Sequence, residues 1–200
     1  MYGNHSGARE KRKEELSAKR IGQMKIVLIG YMGAGKTTLG KALAQHMGVQ
    51  FYDLDWWIEE KAGCTIAEIF AQQGENAFRK MERQALHEVM EKDDIVLSVG
   101  GGTPCFFDNI DYMNHEAKTV YLNASVDTLK AHIRMGGSKR PLVDGKSDEE
   151  LTEYITASLQ KREAFYRQAT YQVRIATITR KEQIDQYVKE IRQIVEHNQR

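Results

Sequence analysis

The chain is poor in cross-links and rigid points: 200 residues contain two cysteines and two prolines. Cys64 and Cys105 lie far apart with no C-x-x-C pairing, which argues against a disulfide framework or a cysteine zinc site and fits two reduced packing thiols. No apolar run approaches the roughly 20 residues needed to cross a bilayer, and no secretory hydrophobic segment opens the chain. A cytoplasmic protein without a membrane partner is therefore expected. Net charge is almost absent as well, at +1. The body is no general polyanion binder, and no nucleic-acid partner is expected.

What charge there is sits unevenly. Residues 1–23 carry six Lys or Arg against three Glu, and the rest of the chain is slightly acidic. We read 1–23 as a flexible basic extension and 24–200 as a single domain, since 41% hydrophobic content suffices for one core. From Met24 onward strand and helix signals alternate. Candidate strands are 25–30, 49–55, 94–102, 118–124 and 171–177, with helical spacing between them. That alternation predicts a five-stranded parallel sheet covered on both faces. Thr65 with Glu68, Ser147 with Glu150 and Thr179 with Glu182 match the capping box, and Ser125 is a candidate N-cap.

"GYMGAGKT", residues 30–37, fits G-x-x-x-x-G-K-[ST] between a predicted strand and a predicted helix. In such a loop backbone N–H groups turn inward at phosphate oxygens, Lys36 adds a mobile positive charge, and the Thr37 hydroxyl is available to magnesium. A phosphate cradle alone does not separate kinases from switches or motors. No N-K-x-D segment for guanine is present, and the strand at 94–102 ends in glycines rather than Asp.

Phosphoryl transfer to a small molecule requires an acceptor pocket. Asp53 and Asp55 stand two apart at the end of the second predicted strand, so the pleat would send both carboxylates to one face at the carboxyl edge. One can serve magnesium and the other an acceptor hydroxyl. Arg79 is followed three residues later by Glu82, which can orient it on a helix. Arg162 is a second helical arginine, and two arginines suit an acceptor carboxylate. Glycines 100–102 can let a ring lie against backbone amides. Residues 134–150 mix Gly and charge without apolar period and read as a mobile lid.

The ordered set "GYMGAGKTTLG", "DLD", "GENAFRKME", "VGGG", "RPL" and "REAFYRQA" resembles shikimate kinase from about Met24 to Ile178. The resemblance implies a three-layer α/β/α P-loop kinase fold and transfer of the γ-phosphoryl group of ATP to the 3-hydroxyl of shikimate. It implies further that Met32, Gly33, Ala34, Gly35, Lys36, Thr37 and Thr38 hold ATP, with Arg134 on the adenine side and the lid residue Arg140 over the phosphoryl group. Asp55 would bind the acceptor hydroxyls and act as base beside Lys36 and Arg140, and Arg79, Gly101, Gly102 and Arg162 would bind shikimate. Thr37 and Asp53 would serve Mg2+. ATP and shikimate are then the small-molecule partners of a monomer. A gluconate-type or nucleoside monophosphate kinase would share loop and lid without needing the paired arginines.

Overall fold

The computed structural model describes residues 24–136 and 143–197. The basic extension and residues 137–142, Arg140 among them, lie outside the described residues. Five strands form one sheet: β1 (Lys25–Ile29), β2 (Gln50–Asp53), β3 (Ile95–Ser98), β4 (Lys118–Ala124) and β5 (Tyr171–Ile175). Their spatial order is β2-β3-β1-β4-β5, and every pairing is parallel. β1 and β3 read as continuous apolar runs, and they are buried along both alternations of the pleat, as strands covered on both faces must be.

The connections contribute seven helices among the described residues: α1 (Lys36–Met47), α2 (Leu54–Ala62), α3 (Ile66–Met90), α4 (Asn109–Glu116), α5 (Val126–Met135), α6 (Asp148–Tyr166) and α7 (Lys181–His197). α1 packs on α7, α2 on α3, and α5 on α6. Two predicted capping boxes form reciprocally, at Thr65 and Glu68 and at Ser147 and Glu150, and Ser125 accepts the Thr128 N–H. The third does not form. Gln183, not Glu182, reaches back, its Oε1 accepting from the N–H groups of Thr179 (2.9 Å) and Arg180 (3.0 Å) while its Nε2 donates to the Thr177 carbonyl (3.1 Å). An amide can do both at once and a carboxylate cannot.

The second strand also ends sooner than its sequence suggests. Asp53 ends the strand and also caps α2, accepting the Asp55 N–H at 3.2 Å, so Asp55 stands in the first turn of a helix. A helical turn, rather than the strand pleat, therefore carries the second carboxylate. α3 is kinked at Gly74, whose φ of 78° breaks the helix and restarts it ahead of Arg79. Because β2, β3 and β1 are neighbours, the segments that leave their carboxyl ends stand side by side at one edge of the sheet, where such folds bind ligands. These are Asp53 with Asp55, the triple glycine, and the phosphate-type loop.

Ser147→Ala removes one half of a capping box at the start of α6. We expect a loss of about 0.5–2 kcal/mol in urea unfolding, with the sheet intact.

Candidate active site

A cavity of about 650 Å³ opens at that edge. Met32, Gly33, Gly35, Lys36, Thr37 and Thr38 line one side of it, and Asp53, Asp55 and Gly101 line another. Lys36 Nζ donates to the loop carbonyls of Gly30 (2.8 Å) and Tyr31 (3.0 Å), and Thr37 Oγ1 donates to Asp53 Oδ2 at 2.9 Å. Ala34 is fully buried, and its N–H closes a turn on the Tyr31 carbonyl, so it shapes the loop without lining the cavity. Gly33 adopts φ +82°, and a Cβ there would meet the Leu129 carbonyl and Ile133 at 3.1 Å. The loop is thus seated directly on α5, and only glycine fits.

Gly100 and Gly101 line the cavity, and each member of the triple glycine faces charged side chains. A methyl group at Gly100 would stand 3.0 Å from both Asp55 Oδ1 and Glu82 Oε1. At Gly101 it would stand 3.5 Å from Arg162 Nη1, and at Gly102 2.7 Å from both terminal nitrogens of Arg79. The absence of side chains at 100 and 102 is therefore what lets Asp55 and Arg79 approach so closely, while Arg162 stands at ordinary contact distance from the Gly101 position.

Arg79 is nearly buried and held from two sides. Glu82, at 1% exposure, accepts from Nη1 (2.9 Å), and Glu75 accepts from Nε (3.2 Å) and Nη2 (3.0 Å). Thr103 Oγ1 donates to the other oxygen of Glu82 at 2.6 Å, and the Phe106 ring lies 4.1 Å from the guanidinium carbon. Two carboxylates and a ring thus hold the guanidinium in place beside Gly102.

Arg162 is half-buried above the Tyr31 ring and beside Tyr166. The Tyr166 hydroxyl donates to the Gly101 carbonyl at 2.6 Å, and burial pushes its phenol far up, so it remains a donor. Cys105 lies within reach of both arginines' charge, yet burial pushes its thiol up to about 11, and it stays neutral. Asp55 is raised to about 6, chiefly by burial and then by the charges of Asp53 and Glu82, with Lys36 pulling the other way.

Arg134, like Arg79, Gly102 and Arg162, is not among the residues that line the cavity in the unliganded chain. Its guanidinium is engaged by Asp148 Oδ1 (2.9 and 3.1 Å) and the Lys146 carbonyl (2.7 Å), and the neighbouring cavity wall comes from His132, Met135 and Gly136. Sequence reasoning missed Glu75, although its place four residues before Arg79 on a helix was a usable signal. It also missed Thr103, Phe106 and His132, whose roles depend on contacts distant in sequence.

A phosphate-type loop opening α1, a carboxylate opposite it and two arginines over a bare backbone floor define a P-loop kinase for a small anionic acceptor. A family model described as shikimate kinase matches residues 32–195. Shikimate kinase of Bacteroides fragilis is 46% identical over 172 residues, covering 86% of this chain and 96% of that one. Among solved structures, shikimate kinase from Bacteroides thetaiotaomicron superposes with a TM-score of 0.84 at 45% identity, covering 88% of this chain and 99% of that one. Shikimate kinase from Acinetobacter baumannii, in complex with shikimate, gives 0.75 at 32% identity, covering 88% and 95%. The chain belongs to the shikimate kinase family.

Two stability effects follow from the buried charges. The native state holds the Asp55 proton more tightly than the unfolded chain does, so stability falls as pH rises from about 3.8 to about 6 and stays lowered above that. Asp55→Asn should therefore stabilise the unliganded protein at pH 7.5 by about 1–3 kcal/mol in urea unfolding, with the gain vanishing below pH ~4. Conversely, Glu82→Ala leaves Arg79 buried without its inner partner and should cost about 3–5 kcal/mol.

Proposed function

We propose that this chain catalyses ATP-dependent phosphorylation of the 3-hydroxyl of shikimate, the step that feeds aromatic amino-acid biosynthesis. The observation that carries the reading is the convergence of Asp55, Arg162 and Arg79 on the side-chain-free floor of residues 100–102. Shikimate is a ring with a carboxylate at one end and hydroxyls at the other. The paired guanidinium groups take the carboxylate, and the ring lies over Gly101 and Gly102. Asp55 then receives the hydroxyl on the side facing the phosphate loop. The solved relative with bound shikimate supports this choice of acceptor.

On the nucleotide side, residues 32–38 wrap the phosphates, and Lys36 exchanges the Gly30 and Tyr31 carbonyls for phosphate oxygens, following charge that grows during transfer. Thr37 and Asp53 bring a hydroxyl and a carboxylate oxygen within 2.9 Å of each other. This all-oxygen pair would suit Mg2+, which would offset the charge of the nucleotide phosphates. Asp55 orients the acceptor hydroxyl and takes its proton as the bond to phosphorus forms. Burial beside two other acids makes it a stronger base than an ordinary carboxylate. The reading takes residues 24–200 as one catalytic domain, acting as a monomer in the cytoplasm, with ATP held partly by Arg140 and by Arg134 once it exchanges Asp148 for the nucleotide.

Two measurements test it. Because Asp55 works as the carboxylate, kcat/KM for shikimate should fall about tenfold per unit below pH ~6. Arg162→Ala should raise the KM for shikimate about 10- to 1,000-fold, with little change in the KM for ATP, and should erase much of the preference for shikimate over its methyl ester. Arg162 is the better target than Arg79, whose truncation would strand buried Glu82. A variant that discriminates acid from ester as wild type does would place the carboxylate elsewhere.

A further inference from the structure

On the side of the cavity away from Asp55, one side chain joins two segments far apart in sequence. His132, half-buried on α5, has Nδ1 2.7 Å from the Gly33 carbonyl of the phosphate loop. Its Nε2 lies 2.7 Å from the backbone nitrogen of Ile178, in the connection between β5 and α7. The Ile178 N–H can only donate, so Nε2 must accept and carry no proton. Nδ1 therefore carries it and donates to Gly33. One neutral tautomer satisfies both contacts; the other tautomer and the charged ring each lose the Ile178 bond. The ring is rigid, and the separation of its nitrogens is fixed.

The two segments it joins adjoin in lining one cavity: Gly33, Gly35 and Lys36 of the phosphate loop, and Ile178, Thr179 and Arg180 of the connection, where Ile178 Cδ1 comes within 3.8 Å of where a Cβ on Gly35 would stand. The connection has no regular structure of its own to hold it. Side chains pin its backbone instead. Tyr187 accepts the Ala176 N–H (2.8 Å), and Gln183 accepts those of Thr179 and Arg180. Both of these come from α7, the helix that the connection leads into. Of these pins, His132 alone reaches across to the phosphate loop.

We infer that His132 is a positioning residue for the nucleotide, fixing the connection at residues 178–180 to the phosphate loop so that whatever part of the nucleotide extends beyond its phosphates meets a wall at a set distance. This rests on the nucleotide reading of the loop given above. An occupant that touches both segments needs that distance; one that fills the phosphate loop alone does not. His132→Ala frees the connection. In His132→Gln, Oε1 can take the place of Nε2 as acceptor for Ile178, whereas the shorter His132→Asn can serve only Gly33.

The test is calorimetric titration of wild type and the three variants with Mg-ADP, inorganic triphosphate and shikimate, each variant first shown to unfold cooperatively. Loss of a buried hydrogen bond that orders a binding wall corresponds to about tenfold in affinity. His132→Ala should weaken ADP about tenfold, leave triphosphate within about threefold and shikimate unchanged, and His132→Gln should recover most of the loss where His132→Asn does not. ADP binding to His132→Ala within twofold of wild type overturns the proposal. So does an equal loss for ADP and triphosphate, which would confine His132 to shaping the loop. Failure of wild type itself to bind ADP would instead overturn the nucleotide reading beneath it.

Discussion

The acceptor side depends on the buried pair of Arg79 and Glu82 pressed against a backbone that has no side chains. Glu82 is almost fully enclosed, and a charge there is tolerable only because it receives Arg79 Nη1 and the Thr103 hydroxyl together. Arg79 in turn can approach so closely only because residue 102 is glycine, where a Cβ would fall 2.7 Å from two nitrogens. Ion pair and glycine run therefore constrain each other. Any side chain at 102 would push the guanidinium out, and any loss of the pair would leave a charge buried in the floor.

That constraint reaches Asp55. Glu82 sits on the same floor as Asp55 and is one of the charges that raise it to about 6, after burial and Asp53. The acid that anchors Arg79 thus also raises Asp55, to which the proposed mechanism gives the acceptor hydroxyl. Crowding three carboxylates near the end of β3 costs stability in the unliganded protein. Strand order makes the crowding possible, since β2, β3 and β1 are adjacent and all run toward the same edge.

The alternation of strand and helix was legible in sequence because the central strands are buried on both faces and read as unbroken apolar runs; β4 matches its predicted span at both ends. Two of three capping boxes were legible for the same local reason. The third was misread because Gln183, one residue on, offers an acceptor and a donor together. Asp53 and Asp55 were placed in the right corner by an incorrect argument: Asp53 caps a helix, and the turn, not the pleat, aims Asp55 inward. Arg79 and Glu82 were readable from helical spacing. His132 was not, since its partners lie 99 and 46 residues away and a histidine on an amphipathic helix carries no local sign of them. Arg140 falls outside the described residues.

The central claim is that the glycine floor gathers a carboxylate clamp and a hydroxyl acceptor into one acceptor site. A crystal structure of the chain with shikimate and Mg-ADP tests it most directly. The account predicts the shikimate carboxylate within hydrogen-bond reach of both Arg79 and Arg162, the ring against Gly101 and Gly102, and the 3-hydroxyl on Asp55 facing the nucleotide. A carboxylate bound away from both arginines, or a 3-hydroxyl turned from Asp55, would contradict it.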